Sequence, residues 1–380
     1  MTGSKAGRWT DDAGRGATVP GAAHGSRTRR GRIGSMRATA MIAVAMLMLA
    51  TAPGAYSTSA DGDYNPLPPA SVWGRGDEAG NTNTQTPEKT LQAVSLIRSG
   101  EKFLLGHVYD REMPLFPGNS WNLEAKPPLT IVQQVANTDY FHGEIGQNGT
   151  QFDSLGHFGI HPSVTSPHET QYYNQWTHDE VHGPLGLKHL GVEKIKPFFT
   201  KAVLLDIARY ANGGHTLSPG QEITLDMVRQ TLAAQSMSEH DISTGDVVLF
   251  RTGWEEFYDE GTLTYFAGAP GVPGATPGVG LAVARWLGTK RVACVGADNW
   301  GIEVVPAIDP PEGLIYPVHN ELIVRNGIPL QESMHLAGIA GDAAQRLRNG
   351  DPNPYTFAYV FVPVPVRGAS GSPGIPIAIR

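Results

Sequence analysis

Apolar residues gather into short runs separated by long polar stretches rich in glycine and proline. Three of these runs, Ala202-Val-Leu-Leu-Asp-Ile207, Asp246-Val-Val-Leu-Phe-Arg251 and Arg291-Val-Ala-Cys-Val-Gly296, are nearly continuous. Continuous runs of this length predict strands buried on both faces. They lead into Asp206, Thr252-Gly253-Trp254 and Asp298. Phe103–Val108, Leu129–Val135 and Tyr355–Val362 read as further strands, and His319–Arg325 as a short helix or strand. Thr86-Pro-Glu-Lys-Thr90, followed by Leu91, Val94, Leu96 and Ile97, predicts a capped helix ending at Ser99-Gly100. Helices are also expected at Thr224–Ala233 and Val279–Leu287. There is no internal repeat. Helices between apolar strands that each lead into a polar residue predict one α/β domain with its chemistry at one edge of a sheet.

Composition adds an address. Of 380 residues, 46 are Gly and 29 Pro, which favours turns and long loops over a helical bundle. Residues 1–37 carry eight Lys or Arg against Asp11 and Asp12, and an uncharged apolar run follows from Ala38 to Ala52. A basic segment, a short apolar segment and a small-residue exit describe a secretory signal over residues 1–60, with a secreted or cell-envelope destination. The apolar run is short for a membrane span, so no stable membrane anchor is expected after processing. Residues 61–90 read as an extended lead-in and residues 91–380 as the catalytic domain. Removing residues 1–60 takes away eight cations and two anions and moves the formal charge from −7 to −13. That argues against nucleic acid as a partner. The single cysteine, Cys294, lies in an apolar run and reads as a buried small hydrophobe, without a disulfide.

The chemistry concentrates between Gly143 and His161. Gln147, Gln151, Asp153 and His157 fall at spacings of four, two and four, with Gly146, Gly149, Gly156 and Gly159 interleaved. Carboxylate, amide and imidazole groups on so permissive a backbone describe half of a metal site. The second candidate group is Val318–Glu332, where His319 opens an apolar segment, Asn326-Gly327 turns it and Glu332 follows. Such a return could bring His319 and Glu332 into one pocket. Asp298 and Glu303 flank a strand end and a turn and are candidates to support the site. His161, His168, His178, His182 and His189 read as loop residues. Trp254, Trp300 and Phe158 fit core packing better than an aromatic substrate wall. The sequon Asn148-Gly-Thr150 lies inside the glycine-rich loop and is discounted. Residues 161–197 and 261–280 are loops that could set specificity, the second with the composition of a lid.

These residues resemble the cyclase family of metal-dependent hydrolases, which includes kynurenine formamidases and isatin hydrolases. The family motif is His-x-Gly-Thr-His-x-Asp-x-x-x-His, and Gln147–His157 matches its length, its Gly-Thr, its Asp and its final His. The resemblance continues through Ala202–Arg209, Gly245–Trp254, Asp298–Glu303 and His319–Glu332 to the Gly-Ala-Ser-Gly-Ser-Pro tail. Gln147 and Gln151 stand where the formamidase motif has two metal-ligating histidines, which resembles the Gln-x-Gly-Thr-Gln-x-Asp subgroup.

The resemblance implies a mixed β/β/α, swivelling-domain-like fold and a homo-oligomer. It implies Asp153, His157, Gln151 and Glu332 as metal ligands, with His319 and Glu332 as catalytic residues. Amide oxygens in place of imidazoles shift the expected metal from tightly bound Zn²⁺ towards Mn²⁺, Mg²⁺ or weakly bound Zn²⁺. The implied activity is hydrolysis of a C–N amide, formamide or lactam bond in a small, aromatic or cyclic molecule, as in conversion of tryptophan to kynurenine. A lactone hydrolase, a ring-forming cyclase and a secreted small-molecule-binding protein with a degenerate site are the alternatives.

Overall fold

The three continuous apolar runs form the parallel centre of a nine-stranded sheet in the computed structural model, which describes residues 64–161, 167–267 and 274–380. In chain order its strands are β1 (Lys102–Leu104), β2 (Gln151–Asp153), β3 (Phe198–Asp206), β4 (Val247–Arg251), β5 (Cys294–Ala297), β6 (Leu330–Glu332), β7 (Thr356–Phe361), β8 (Gly371–Pro373) and β9 (Ile377–Ile379). Across the sheet the order is β1-β9-β7-β3-β4-β5-β6-β2-β8. Strands β3 to β6 run parallel to one another. Both flanks are antiparallel, β7, β9 and β1 on one side and β2 and β8 on the other. The fold is therefore mixed α/β. The expected secretory signal lies outside the described residues.

Local chemistry places the helices. In α1 (Pro87–Val94) Thr86 caps the first turn by accepting from the Lys89 N–H, and Pro87 stands at the first helical position, where no N–H is needed. In α2 (Leu225–Ala234) Thr224 accepts from the Met227 N–H in the same way. Along α3 (Leu281–Lys290) Val283, Ala284 and Leu287 are buried, and Cys294 is buried nearby on β5, as a small hydrophobe should be.

The structure departs from the expected elements in three places and decides one that the pattern leaves open between helix and strand. Helix α1 ends at Val94, before Ser99-Gly100, and Leu91 and Val94 are exposed. Leu129–Val135 is no core strand. It forms two short exposed strands, Leu129–Ile131 and Gln134–Ala136, on an arm whose base pairs Trp121–Ala125 with Asp139–Gly143. His319–Arg325 is helical, a Pro317–His319 turn running into a wider turn over Asn320–Arg325. A helix not expected, α4, spans Ala337–Arg348.

The three polar strand ends serve one another. Arg251 Nη1 lies 2.9 Å from Asp206 Oδ1. Asp298 accepts from the Thr252 N–H (2.8 Å), the Thr252 hydroxyl (2.6 Å) and the Gly253 N–H (2.7 Å). The expected chemistry at this edge is thus replaced by a lock between strands, because charged strand ends satisfy each other when buried. The lead-in is bound to the domain: the Asn81 N–H donates to the Gly327 carbonyl (2.8 Å) and Tyr173 donates to Asp77 (2.7 Å).

Candidate metal centre

Strand β2 is only three residues long, and its alternation builds the site. Phe152 points into the core against Phe198 and Phe361 (ring centroids 5.9 and 5.3 Å). Gln151 and Asp153 therefore share the opposite face. Strand β6 places Glu332 directly across from Gln151, so the two side chains face each other although they are 181 positions apart in the chain. Upstream, the loop passes so close to β8 that a Cβ at Gly146 would stand 2.5 Å from the Gly371 carbonyl carbon. Only glycine allows that approach.

Seven of the residues singled out from the sequence converge here. Gln151 Nε2 donates to Glu332 Oε2 at 2.7 Å, and Gln147 Nε2 donates to Asp153 Oδ1 at 2.8 Å. Gln151 also donates to Gln147 Oε1 (3.3 Å). Both glutamines thus act on the carboxylates as donors. His157 Nε2 lies 3.8 Å from Asp153 Oδ2. His319 Nε2 lies 3.4 Å from Glu332 Oε1 and 3.9 Å from Asp153 Oδ2. On its other side His319 Nδ1 bonds to Glu303, which also accepts the backbone N–H of Val318 (3.1 Å) and of His319 (3.0 Å).

The electrostatics favour a cation. Asp153, Glu303 and Glu332 are all buried. Asp153 Oδ2 and Glu332 Oε1 have no hydrogen-bond partner, although buried carboxylate oxygens ordinarily find one. Burial raises the Glu332 pKa, and the neighbouring Asp153 charge raises it further. Burial works against a charged His319, but the hydrogen bond of Glu303 and the charges of Glu303 and Glu332 outweigh it and hold that imidazole well above its ordinary range. Burial keeps His157 below its ordinary range, with Asp153 opposing. One ligand atom from each of Asp153, His157 and His319 lies within 4.8 Å of the others. Two orphaned carboxylate oxygens and two imidazoles fit a divalent cation, which would satisfy both oxygens at once.

Phe158 and Tyr316 stand beside His319 (5.0 and 5.8 Å between ring centroids) and meet edge to face. Trp254 and Trp300 instead pack into a second hydrophobic cluster. Asn148 is buried and donates to the Ser120 and Glu144 carbonyls. The loop histidines make local contacts, His161 with Thr170, His168 with Asp179 and His182 with Tyr172. Asp298 belongs to the strand-end lock. Glu303, a candidate for support by its place at a turn, holds His319, whereas the place of Tyr316 had no sequence signal, because no spacing rule links it to the motif at residue 150.

A mixed α/β fold that brings carboxylates from paired antiparallel strands together with imidazoles from the adjoining turns defines a candidate metal-site protein. The chain belongs to the cyclase family: the family model described as "Putative cyclase" matches residues 103–304. The crystal structure of a novel cyclase is similar with a TM-score of 0.70 and 27% identity, covering 83% of this chain and 99% of that one. Isatin hydrolase A from Ralstonia solanacearum is similar at 20% identity and a TM-score of 0.49, over 78% of this chain and 98% of that one. Isatin hydrolase A from Labrenzia aggregata, bound to benzyl benzoate, is similar at 18% identity and 0.48, over 75% and 94%. A comparison with curated proteins finds no match.

Proposed function

We propose that the protein is a metal-dependent hydrolase that opens a C–N bond in a small aromatic amide, formamide or lactam. The observation that carries this reading is the convergence of Asp153, His157, His319 and Glu332, with two buried carboxylate oxygens left unpartnered. A divalent metal in that cluster would supply a water of lowered pKa and a polarised substrate carbonyl.

The two histidines divide the work by depth. His319 is nearly fully buried, faces both carboxylates and is fixed by Glu303 in the way that carboxylates orient metal-ligating imidazoles. In this proposal His319 joins Asp153 and Glu332 in holding the metal. His157, with its side chain 24% exposed and its pKa lowered by burial, is a neutral base at the rim. Its Nε2 takes a proton from the attacking water and returns it to the leaving nitrogen. This exchanges the roles that the family resemblance implied for the two residues. Gln151 and Gln147 hold Glu332 and Asp153 in place, and Phe158 and Tyr316 offer an aromatic wall beside the reacting groups.

A second reading, a small-molecule-binding protein without turnover, is favoured by one observation: both glutamine amides are committed to carboxylates where the formamidase motif has metal-binding histidines. Metal content and turnover on aryl formamides, lactams and lactones separate the two. His157→Gln should keep the metal and lose turnover, whereas Asp153→Ala and His319→Gln should lose both. If His157→Gln sheds the metal while His319→Gln retains it, the assigned roles are reversed. The hydrolase reading fails if purified protein holds no divalent metal and neither histidine affects turnover. Export through the N-terminal segment belongs to the same proposal; an exported protein that begins at Met1 would refute it.

A further inference from the structure

His107, Glu255 and His335 form another cluster, and none of them takes part in the site above. Each offers a ligand atom within 4.8 Å of the other two. They come from three places: His107 follows β1, Glu255 lies in the turn after β4, and His335 comes three residues after Glu332.

Glu255 has only 5% of its side chain exposed. Its Oε2 receives His335 Nδ1 (2.9 Å) and the Leu336 N–H (2.9 Å). Its Oε1 is buried without a hydrogen-bond partner. Arg251 Nε approaches that oxygen at 3.5 Å, but the same guanidinium already binds Asp206 at 2.9 Å, so part of its charge is compensated.

His107 is held like a ligand. Its ring lies flat on Tyr258 (3.7 Å between centroids, 7° between planes) and meets His335 edge-on at 5.1 Å. Its Nε2 is buried with no hydrogen-bond partner. The ring's bond to the Met334 backbone therefore falls to Nδ1, which leaves Nε2 as a buried lone pair. A backbone carbonyl that fixes one ring nitrogen so that the other can bind is the usual support of a metal-ligating histidine. Burial also holds the His107 pKa down to about 4, so the ring is neutral.

We propose that His107, Glu255 and His335 form a second divalent-metal site of the Zn²⁺ class, separate from the Asp153 cluster. Two imidazoles and one carboxylate are the donor set of open three-ligand zinc sites, and the half-exposed His335 gives the ion an entry path and leaves room for a water. Binding exchanges the proton shared by His335 and Glu255 for the metal, and the proton leaves to solvent. A His335–Glu255 ion pair alone would account for two of the three residues, but not for the buried, unpartnered nitrogen of His107.

The test counts metal on the full chain. Protein stripped with a chelator is loaded with Zn²⁺, desalted and analysed for zinc, and Co²⁺ loading is followed by visible absorption. His335→Gln should lower bound zinc by one equivalent relative to wild type and remove one component of the Co²⁺ spectrum. Asp153→Asn should retain that equivalent, so failure here is distinguishable from failure of the proposed active site. His107→Gln should repeat the loss; where it does not fold, as judged by circular dichroism, the half-exposed His335 variant decides. Unchanged zinc in His335→Gln overturns the proposal. So does a loss that follows His178→Gln instead, which would assign the ion to the exposed His168–His178–Asp179 group.

Discussion

Glu303 is the most informative residue to change, because it touches no expected substrate and yet fixes His319. Its buried carboxylate serves His319 Nδ1 and two backbone N–H groups. Glu303→Gln keeps the shape and removes the charge. The better placement of the amide keeps its oxygen on both His319 groups, which turns its NH₂ towards the Val318 N–H, donor against donor. One buried backbone donor is then unmet, at about 1–3 kcal/mol, and the bond to His319 falls from charged to neutral, about 1 kcal/mol more. Urea denaturation of chelator-treated protein should therefore show a loss of about 2–4 kcal/mol. Glu303 and Glu332 raise the His319 pKa in the folded state. That contribution is present below the unfolded histidine value of about 6.5 and is lost as pH rises through the higher folded value. The difference between wild type and variant should accordingly narrow towards alkaline pH. Chelator competition should also show metal held about 10–100-fold less tightly. Stability within about 0.5 kcal/mol of wild type, together with unchanged chelator competition, would refute this account of Glu303.

Three other substitutions probe the surroundings. Burial opposes ionisation of Glu78, but the Leu190 N–H (2.8 Å), His189 (3.2 Å) and Lys194 (3.2 Å) outweigh it and hold its pKa below the usual carboxylate range. Its contribution is thus present above the unfolded value and lost as pH falls through the folded one. Glu78→Gln should cost about 1 kcal/mol at neutral pH and nothing once the wild-type carboxylate is protonated, read from denaturation midpoints. Phe152→Ala empties the core beneath the site and should cost about 3–5 kcal/mol in the same assay. Gln147→Leu deprives Asp153 Oδ1 of its donor; thermal unfolding should show a loss of about 1–3 kcal/mol in metal-free protein that shrinks on adding Mn²⁺ or Zn²⁺.

Residues close together in the chain were easiest to read. Gln147, Gln151, Asp153 and His157 belong to one glycine-rich loop and strand, and their spacing alone marked them. The three parallel strands were equally plain, since burial on both faces leaves an uninterrupted apolar run. Helix α4 was hidden because it buries alanines beside Ile339 and has Gly338 and Gly341 within it, so no bulky stripe marks its inner face. The arm over residues 121–143 exposes Leu123, Leu129, Ile131 and Val135, so its apolar residues imitate a core they do not join. Asp298 shows a different ambiguity. A polar residue after an apolar strand looks the same whether it serves a reaction or, as here, ties Thr252 and Gly253 in place. Glu303 and Tyr316 reach His319 only through tertiary contacts, which local pattern does not encode.

The position of β2 has a consequence for the order of assembly. It is zipped on one side to residues 330–332 and on the other to residues 371–373. Pairings this distant are the slow part of folding. During synthesis the motif emerges before either neighbour and waits with both edges open, first for residues 330–332 and then for residues 371–373. A polypeptide stopped at residue 366 would carry every carboxylate, imidazole and amide of the candidate metal centre and still leave the strand of Asp153 unpaired on one side. Shaping of the ion site is thereby tied to the docking of residues 371–373.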